Sequence, residues 1–185
     1  MHRLRQAAFI GRDCLMTYQL TSPRTVQWLP GALEAMRQLQ RSGHELIMVI
    51  DQPGLATGQV RAEDHWAWAA AVRLQLHAMG IRLAGMLLCP HHAGGHIPPY
   101  NTNCTCHKPR PDLLLQAGKT LSLNLEASVI FAADEAEMQR GRGAGMAQLV
   151  RIDPASKLRW QAQGLVAPDL LVAVQALRRR PLNPA

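Results

Sequence analysis

Three cysteines and a histidine give this chain its densest cluster of metal-binding side chains. Cys89-Pro90-His91 is followed, after twelve residues, by Cys104-Thr105-Cys106. Thiolate and imidazole are the donors zinc prefers, and four of them close a tetrahedral shell with no open position. The expected metal is therefore a structural Zn²⁺ held by Cys89, His91, Cys104 and Cys106. The loop between them carries Gly94-Gly95 and Pro98-Pro99, and a metal cross-link is one way to order such a segment. The single-residue spacing differs from the two to four residues of common zinc fingers, so the knuckle is of a distinct kind. His92 and His96 are weaker donor candidates, and Cys14 is too remote in sequence to assign. Clustered cysteines favour a reduced protein with a metal site over a disulfide framework.

The remaining chemistry-bearing residues are Asp13, Asp51 and Asp134, and each follows an apolar run. Residues 7–11, 45–50, 81–88, 127–131 and 147–150 read as strands. Residues 45–50 are apolar after Glu45, as a strand buried on both faces should be. Helical patterns lie between them: after Pro30-Gly31 up to Ser42-Gly43, over 62–79, 111–121, from 135 to about 141, and 168–180. On 62–79 the packing stripe is read as Trp66, Ala70, Leu74 and His77, with Trp66 and Trp68 as packing residues. Strands alternating with helices predict an α/β fold with a parallel sheet covered on both faces. Ligands then bind beyond the carboxyl ends of the strands, a rim that gathers Asp13, Asp51, Cys89 and Ala132-Ala133-Asp134. Asp51-Gln52-Pro53-Gly54 is also a turn signal, and Asp51 reads first as the cap of that turn.

Composition narrows the function classes. The 185 residues suit one domain, with 48% apolar and 18% charged residues. No apolar run approaches the ~18 residues of a membrane span. The apolar stretch behind the basic start is too short for an export signal, so a cytoplasmic location is expected. Net charge is +7, with 17 Arg against 3 Lys. Such a balance suits an anionic partner, but the basic residues are dispersed and only 8 residues are Phe, Tyr or Trp. A zinc-ordered nucleic-acid binder is therefore a minor alternative.

Taken together, these motifs resemble the haloacid dehalogenase (HAD) superfamily, in its heptose-bisphosphate phosphatase and histidinol-phosphatase branch. The most specific match is Cys89-Pro90-His91-His92 with Cys104-Thr105-Cys106-His107-Lys108-Pro109. Phe9-Ile10-x-Arg12-Asp13, Gln52-x-Gly54-Leu55-Ala56-x-Gly58 and Glu137-Met138-Gln139 also match. The likeness covers about residues 7–175. It implies one HAD-like domain over 1–185, a Rossmannoid three-layer sandwich with no large cap. The zinc loop would lie at about 89–108 and a flexible tail at 176–185.

The resemblance also implies a reaction. A carboxylate after the first strand attacks phosphorus, and a second one, two residues on, is the general acid/base. A Thr or Ser after the second strand, here Ile50, and a lysine further on hold the phosphoryl oxygens, and acidic residues after the fourth strand, with the nucleophile, hold Mg²⁺. Here the nucleophile position is Gly11 and the principal Mg²⁺ carboxylate is Ala133. The later Asp of that motif is Glu137, and the Arg before Lys108 is His107. Asp13 stands as a vestigial acid/base, and Lys108, Asp51 and Gln52 as vestigial phosphate-side residues. These departures put Mg²⁺ binding in doubt. They point to a non-catalytic binding or regulatory protein, with a phosphorylated sugar or a protein as partner. The alternative is an active or weak phosphatase on a sugar phosphate or small phosphomonoester, with Asp13 or Cys14 as substitute nucleophile and Asp134 as substitute metal ligand.

Overall fold

The computed structural model describes residues 4–17 and 26–179. In chain order the elements are β1 (Ala7–Gly11), a single 3-10 turn (Arg12–Cys14), β2 (Met16–Thr17), β3 (Gln27–Trp28) and α1 (Ala32–Arg41). Next come β4 (Glu45–Asp51), α2 (Gly54–Thr57), α3 (Ala62–Ala78), β5 (Leu83–Cys89) and α4 (Asp112–Thr120). They are followed by β6 (Val129–Ala132), α5 (Glu135–Gly143), β7 (Gln148–Ile152), β8 (Arg159–Gln161), β9 (Gly164–Ala167) and α6 (Leu170–Arg179).

Seven strands form one sheet in the order β5-β4-β1-β6-β7-β9-β8. All neighbours are parallel except the β8–β9 hairpin at the edge. The central strand β1 is buried throughout, with Phe9 beside Ile47 on one flank and Ile130 on the other. Successive side chains along a strand point to opposite faces, and the two faces have separate cores. Ala8, Ile10, Met48, Ile50 and Phe131 pack with residues of α1, α3 and α6. Ala7, Phe9, Ile47, Val49 and Ile130 pack with Leu113, Leu114 and Ala117 of α4 and Met138 of α5. This is the expected three-layer α/β arrangement.

Two expectations need correction, and one element has no counterpart among them. The stripe of α3 that faces the core is His65, Trp68, Val72 and Leu76. Trp66, Ala70, Leu74 and His77 are exposed, so only one of the two tryptophans packs. Apolar residues stand on several sides of this helix, and spacing alone could not choose between them. The β8–β9 hairpin has no clear pattern in the sequence, because residues 153–163 mix polar and apolar types and the hairpin lies at the sheet edge. Residues 176–179 are the last turn of α6, not the start of a tail, and residues 180–185 lie outside the described residues.

Candidate functional site

Four strands deliver the expected rim. Gly11, Asp51, Cys89 and Ala132 end β1, β4, β5 and β6, and Asp51 and Cys89 stand side by side in register. The parallel order of the sheet therefore brings together residues up to 121 positions apart in sequence.

Cys89, His91, Cys104 and Cys106 converge as expected, with all four donor atoms within 4.8 Å of one another. Sγ of Cys89 lies 3.7 Å from that of Cys104 and 3.2 Å from that of Cys106. Nδ1 of His91 is 3.9 Å from Cys89 Sγ and 3.2 Å from Cys106 Sγ. A tetrahedral zinc with bonds of 2.0–2.3 Å would set donor separations of about 3.5–3.8 Å. The spacings straddle that range, so the donor set fits a zinc ion. Neither His92 nor His96 joins this group. His107 does approach it, with Nδ1 3.8 Å from Cys89 Sγ and 3.5 Å from Asp51 Oδ1. It stands where the Cys/His cluster meets the cleft.

The cleft beside the knuckle is filled from within. Gly11 has φ −56° and ψ 136°, a conformation open to any residue. What fixes its size is Glu137, one carboxylate oxygen of which lies 2.7 Å from where a Cβ on residue 11 would be. That carboxylate accepts the Ala133 N–H at 2.8 Å and is 6% exposed. Burial pushes its pKa up to about 7, against the pull of the Ala133 N–H and the Lys108 ammonium.

The other charges are also partnered internally. Asp51 does not cap its turn. Its two oxygens accept a parallel pair of hydrogen bonds from Arg140, each 2.8 Å. The Arg140 guanidinium is fully buried and also donates to the Cys106 and Arg110 carbonyls. The planar fork of arginine is suited to this bidentate role, and here it fastens α5 to β4 and to the metal loop. Lys108 faces the cleft and pairs with Asp134. Asp134 in turn caps α5 by accepting the Glu137 N–H at 2.9 Å. Burial works against both charges. The pair contact outweighs it, holding the Asp134 carboxyl below and the Lys108 ammonium above their ordinary ranges.

The two candidate substitute nucleophiles differ. Asp13 is exposed and paired with Arg12 at 2.9 Å. The Cys14 thiol is buried and directed at the Phe131 carbonyl. Burial, with Glu137, Asp13 and Asp134 nearby, pushes its pKa well up, which opposes the thiolate a nucleophile needs. Gln52 is buried, with its amide nitrogen unbonded among the described residues. Arg140 was not singled out from the sequence. The available signal was a carboxylate at the end of a buried strand, which calls for a buried cation.

Comparison with known proteins places this geometry. The D-glycero-beta-D-manno-heptose-1,7-bisphosphate 7-phosphatase of Photorhabdus laumondii is 31% identical over 155 residues, 82% of each chain. The chain belongs to the heptose-bisphosphate phosphatase family. The enzyme of that name from Rhodopseudomonas palustris is 28% identical over 145 residues, covering 77% of this chain and 81% of that one. A HAD-like phosphatase of Mesorhizobium loti superposes with a TM-score of 0.79 at 28% identity, over 94% of this chain and 88% of that one. The D,D-heptose 1,7-bisphosphate phosphatase of B. bronchiseptica, solved with magnesium and phosphate, gives 0.76 at 20% identity, over 94% and 98%. No family model matches the chain. Among the described residues no helix is long and apolar enough to cross a membrane.

Proposed function

We propose that this member of the heptose-bisphosphate phosphatase family keeps the scaffold and the zinc knuckle without the aspartyl-phosphate reaction. It would serve as a binding or regulatory protein for a phosphorylated sugar or a protein partner. The observation that carries this reading is the Glu137 carboxylate over Gly11. The space the resemblance gives to a nucleophile holds a side chain from α5 instead. Losing a covalent nucleophile can cost an enzyme about a millionfold in rate. The remaining carboxylates do not fit Mg²⁺ as they stand. Residues 11 and 133 offer no side-chain oxygen, Glu137 accepts a backbone N–H, and Asp134 is engaged with Lys108. Cys89, His91, Cys104 and Cys106 would hold the structural Zn²⁺, which supplies a cross-link for the loop and no chemistry.

A second reading has one observation in its favour. Glu137 is itself a carboxylate at the vacated place and could be the substitute nucleophile of a weak phosphatase. Phosphate release from heptose 1,7-bisphosphate, with Mg²⁺ present, separates the two. The proposal expects none above background from the natural chain. It expects Mg²⁺ affinity or turnover to emerge in the triple change Gly11→Asp, Ala133→Asp and Glu137→Asp, which withdraws the Glu137 carboxylate by one methylene. Turnover in the natural chain that vanishes in Glu137→Gln would overturn it in favour of the second reading.

A further inference from the structure

The outer face of α3 carries the very stripe that its spacing marks for packing. Trp66, Ala70, Leu74 and His77 recur at three- and four-residue intervals and so share one side of the helix. The core takes the other side, through His65, Trp68, Val72 and Leu76. A helix that covers a sheet ordinarily turns a polar face outward. This one leaves Leu74 70% exposed and Trp66 54% exposed. The buried His65 ring meets Trp66 edge-on, with centroids 5.1 Å apart. Beside the stripe, the end of α3 and the segment leading into β5 form an open groove of about 560 Å³. Apolar Ala70, Leu74, Ile81 and Leu83 line it together with basic Arg73 and Arg82.

The order of residues along this face matches the same face running backwards. Trp66 and Leu74 lie four residues to either side of Ala70, and Glu63 and His77 lie seven to either side. A two-fold axis at Ala70, with a second copy of the helix antiparallel to the first, sets Trp66 opposite Leu74 and the groove. It sets Glu63 opposite His77, one helical turn from Arg73. Both contacts are made twice, which is the self-complementarity an isologous interface requires. Ala70 on the axis is small, so the helices can approach closely. The positive end of each helix dipole also meets the negative end of the other. Glu63 has one contact of its own, with Arg61 at 3.5 Å, and both side chains are 76% exposed. A solvated pair of this kind is worth little and leaves Glu63 able to turn to a partner.

We propose that the outer face of α3 is a homodimer interface in which Trp66 of each copy enters the groove at Leu74 of the other. The 17 residues of α3 make a helix about 25 Å long. The contact is therefore at the small end of specific interfaces, below about 1,200 Å², and a Kd of about 10–100 μM is expected. Sedimentation equilibrium on the full chain, loaded from about 5 to 500 μM, brackets that value. The average mass should climb from one copy toward two. Leu74→Glu should weaken association at least tenfold, since it sets a charge against the Trp66 anchor. Glu63→Lys and His77→Glu test the antiparallel register. Each alone sets like charges across the axis and should weaken association about threefold to tenfold. An equimolar mixture of the two variants sets the new lysine of one chain against the new glutamate of the other, and should recover the wild-type affinity. All three positions are exposed, so melting temperatures of the dilute variants should stay within about 3 °C of the wild type. A chain that remains monomeric up to about 500 μM overturns the proposal. So does a dimer that keeps its affinity in Leu74→Glu, or a mixture that associates no more tightly than its two components.

Discussion

Substituting Gly11 by Asp tests the occupied cleft most directly. The backbone at φ −56° and ψ 136° imposes no penalty on a side chain, so the cost must come from Glu137. A Cβ on residue 11 would lie 2.7 Å and 3.1 Å from the two Glu137 oxygens, inside contact distance. These oxygens are the far end of a flexible side chain, so Glu137 can move aside, mainly at the cost of its hydrogen bond to the Ala133 N–H, about 1 kcal/mol. The new carboxylate adds repulsion: two unit charges about 4 Å apart interact by about 4 kcal/mol at an effective dielectric constant near 20. Glu137 relieves part of this by holding a proton, which it does readily with a pKa of about 7. Gly11→Asp should therefore destabilise the fold by about 3–5 kcal/mol at pH 8, and by clearly less at pH 5.5. Gly11→Ala carries the steric part alone. In a Glu137→Ala background both costs should largely disappear, giving a coupling of about 2–4 kcal/mol in a double-mutant cycle. Urea unfolding at the two pH values measures all of these. A loss under about half a kcal/mol in Gly11→Asp, or a coupling near zero, would show that Glu137 does not stand over residue 11.

Further outcomes follow from the same contacts. Glu137 titrates in the fold at about 7, above its ordinary 4.5. Its contribution is thus fully present below pH 4.5 and lost as pH rises through 7. The wild type should lose up to about 3 kcal/mol from this group across that window, and Glu137→Gln should flatten the change in a pH series of unfolding curves. Arg140→Met strips Asp51 of its two guanidinium hydrogen bonds, leaving a buried carboxylate with only the His107 ring, 3.5 Å away, beside it, and should destabilise by about 3 kcal/mol. Adding Asp51→Leu should recover much of that loss in thermal or urea melts. Zinc should be found near one equivalent by elemental analysis and fall sharply in Cys104→Ser or Cys106→Ser, with a lowered melting temperature in chelator.

Much of this was legible in the sequence because it rests on local pattern. Apolar runs such as 45–50 mark strands buried on both faces, and their ends supply the rim. The metal cluster was readable because its donors lie in two short motifs of scarce residue types. What escaped notice depends on long-range pairing. Arg140 and Asp51 are 89 residues apart, and nothing local to either says that they meet. The orientation of α3 escaped for a different reason. Its buried face includes His65 and its exposed face includes Trp66 and Leu74, so hydropathy points both ways and tertiary packing decides.

The three internal partnerships of the cleft form one connected arrangement. A cleft with no carboxylate at residues 11 and 133 would hold a void beside Gly11, an acid at Asp51 and a cation at Lys108. Voids in a packed interior and unpaired buried charges each cost kilocalories. Here α5 answers all three. Glu137 fills the void, Arg140 neutralises Asp51, and Asp134, the cap of the same helix, holds Lys108. Because one helix carries all three groups, placing a single carboxylate at residue 11 sets it against Glu137 without displacing the other two contacts. The physical prediction is that any gain of metal affinity is cooperative. Single changes lower stability with no gain in metal affinity, and any gain requires the residues of β1, β6 and α5 to change together.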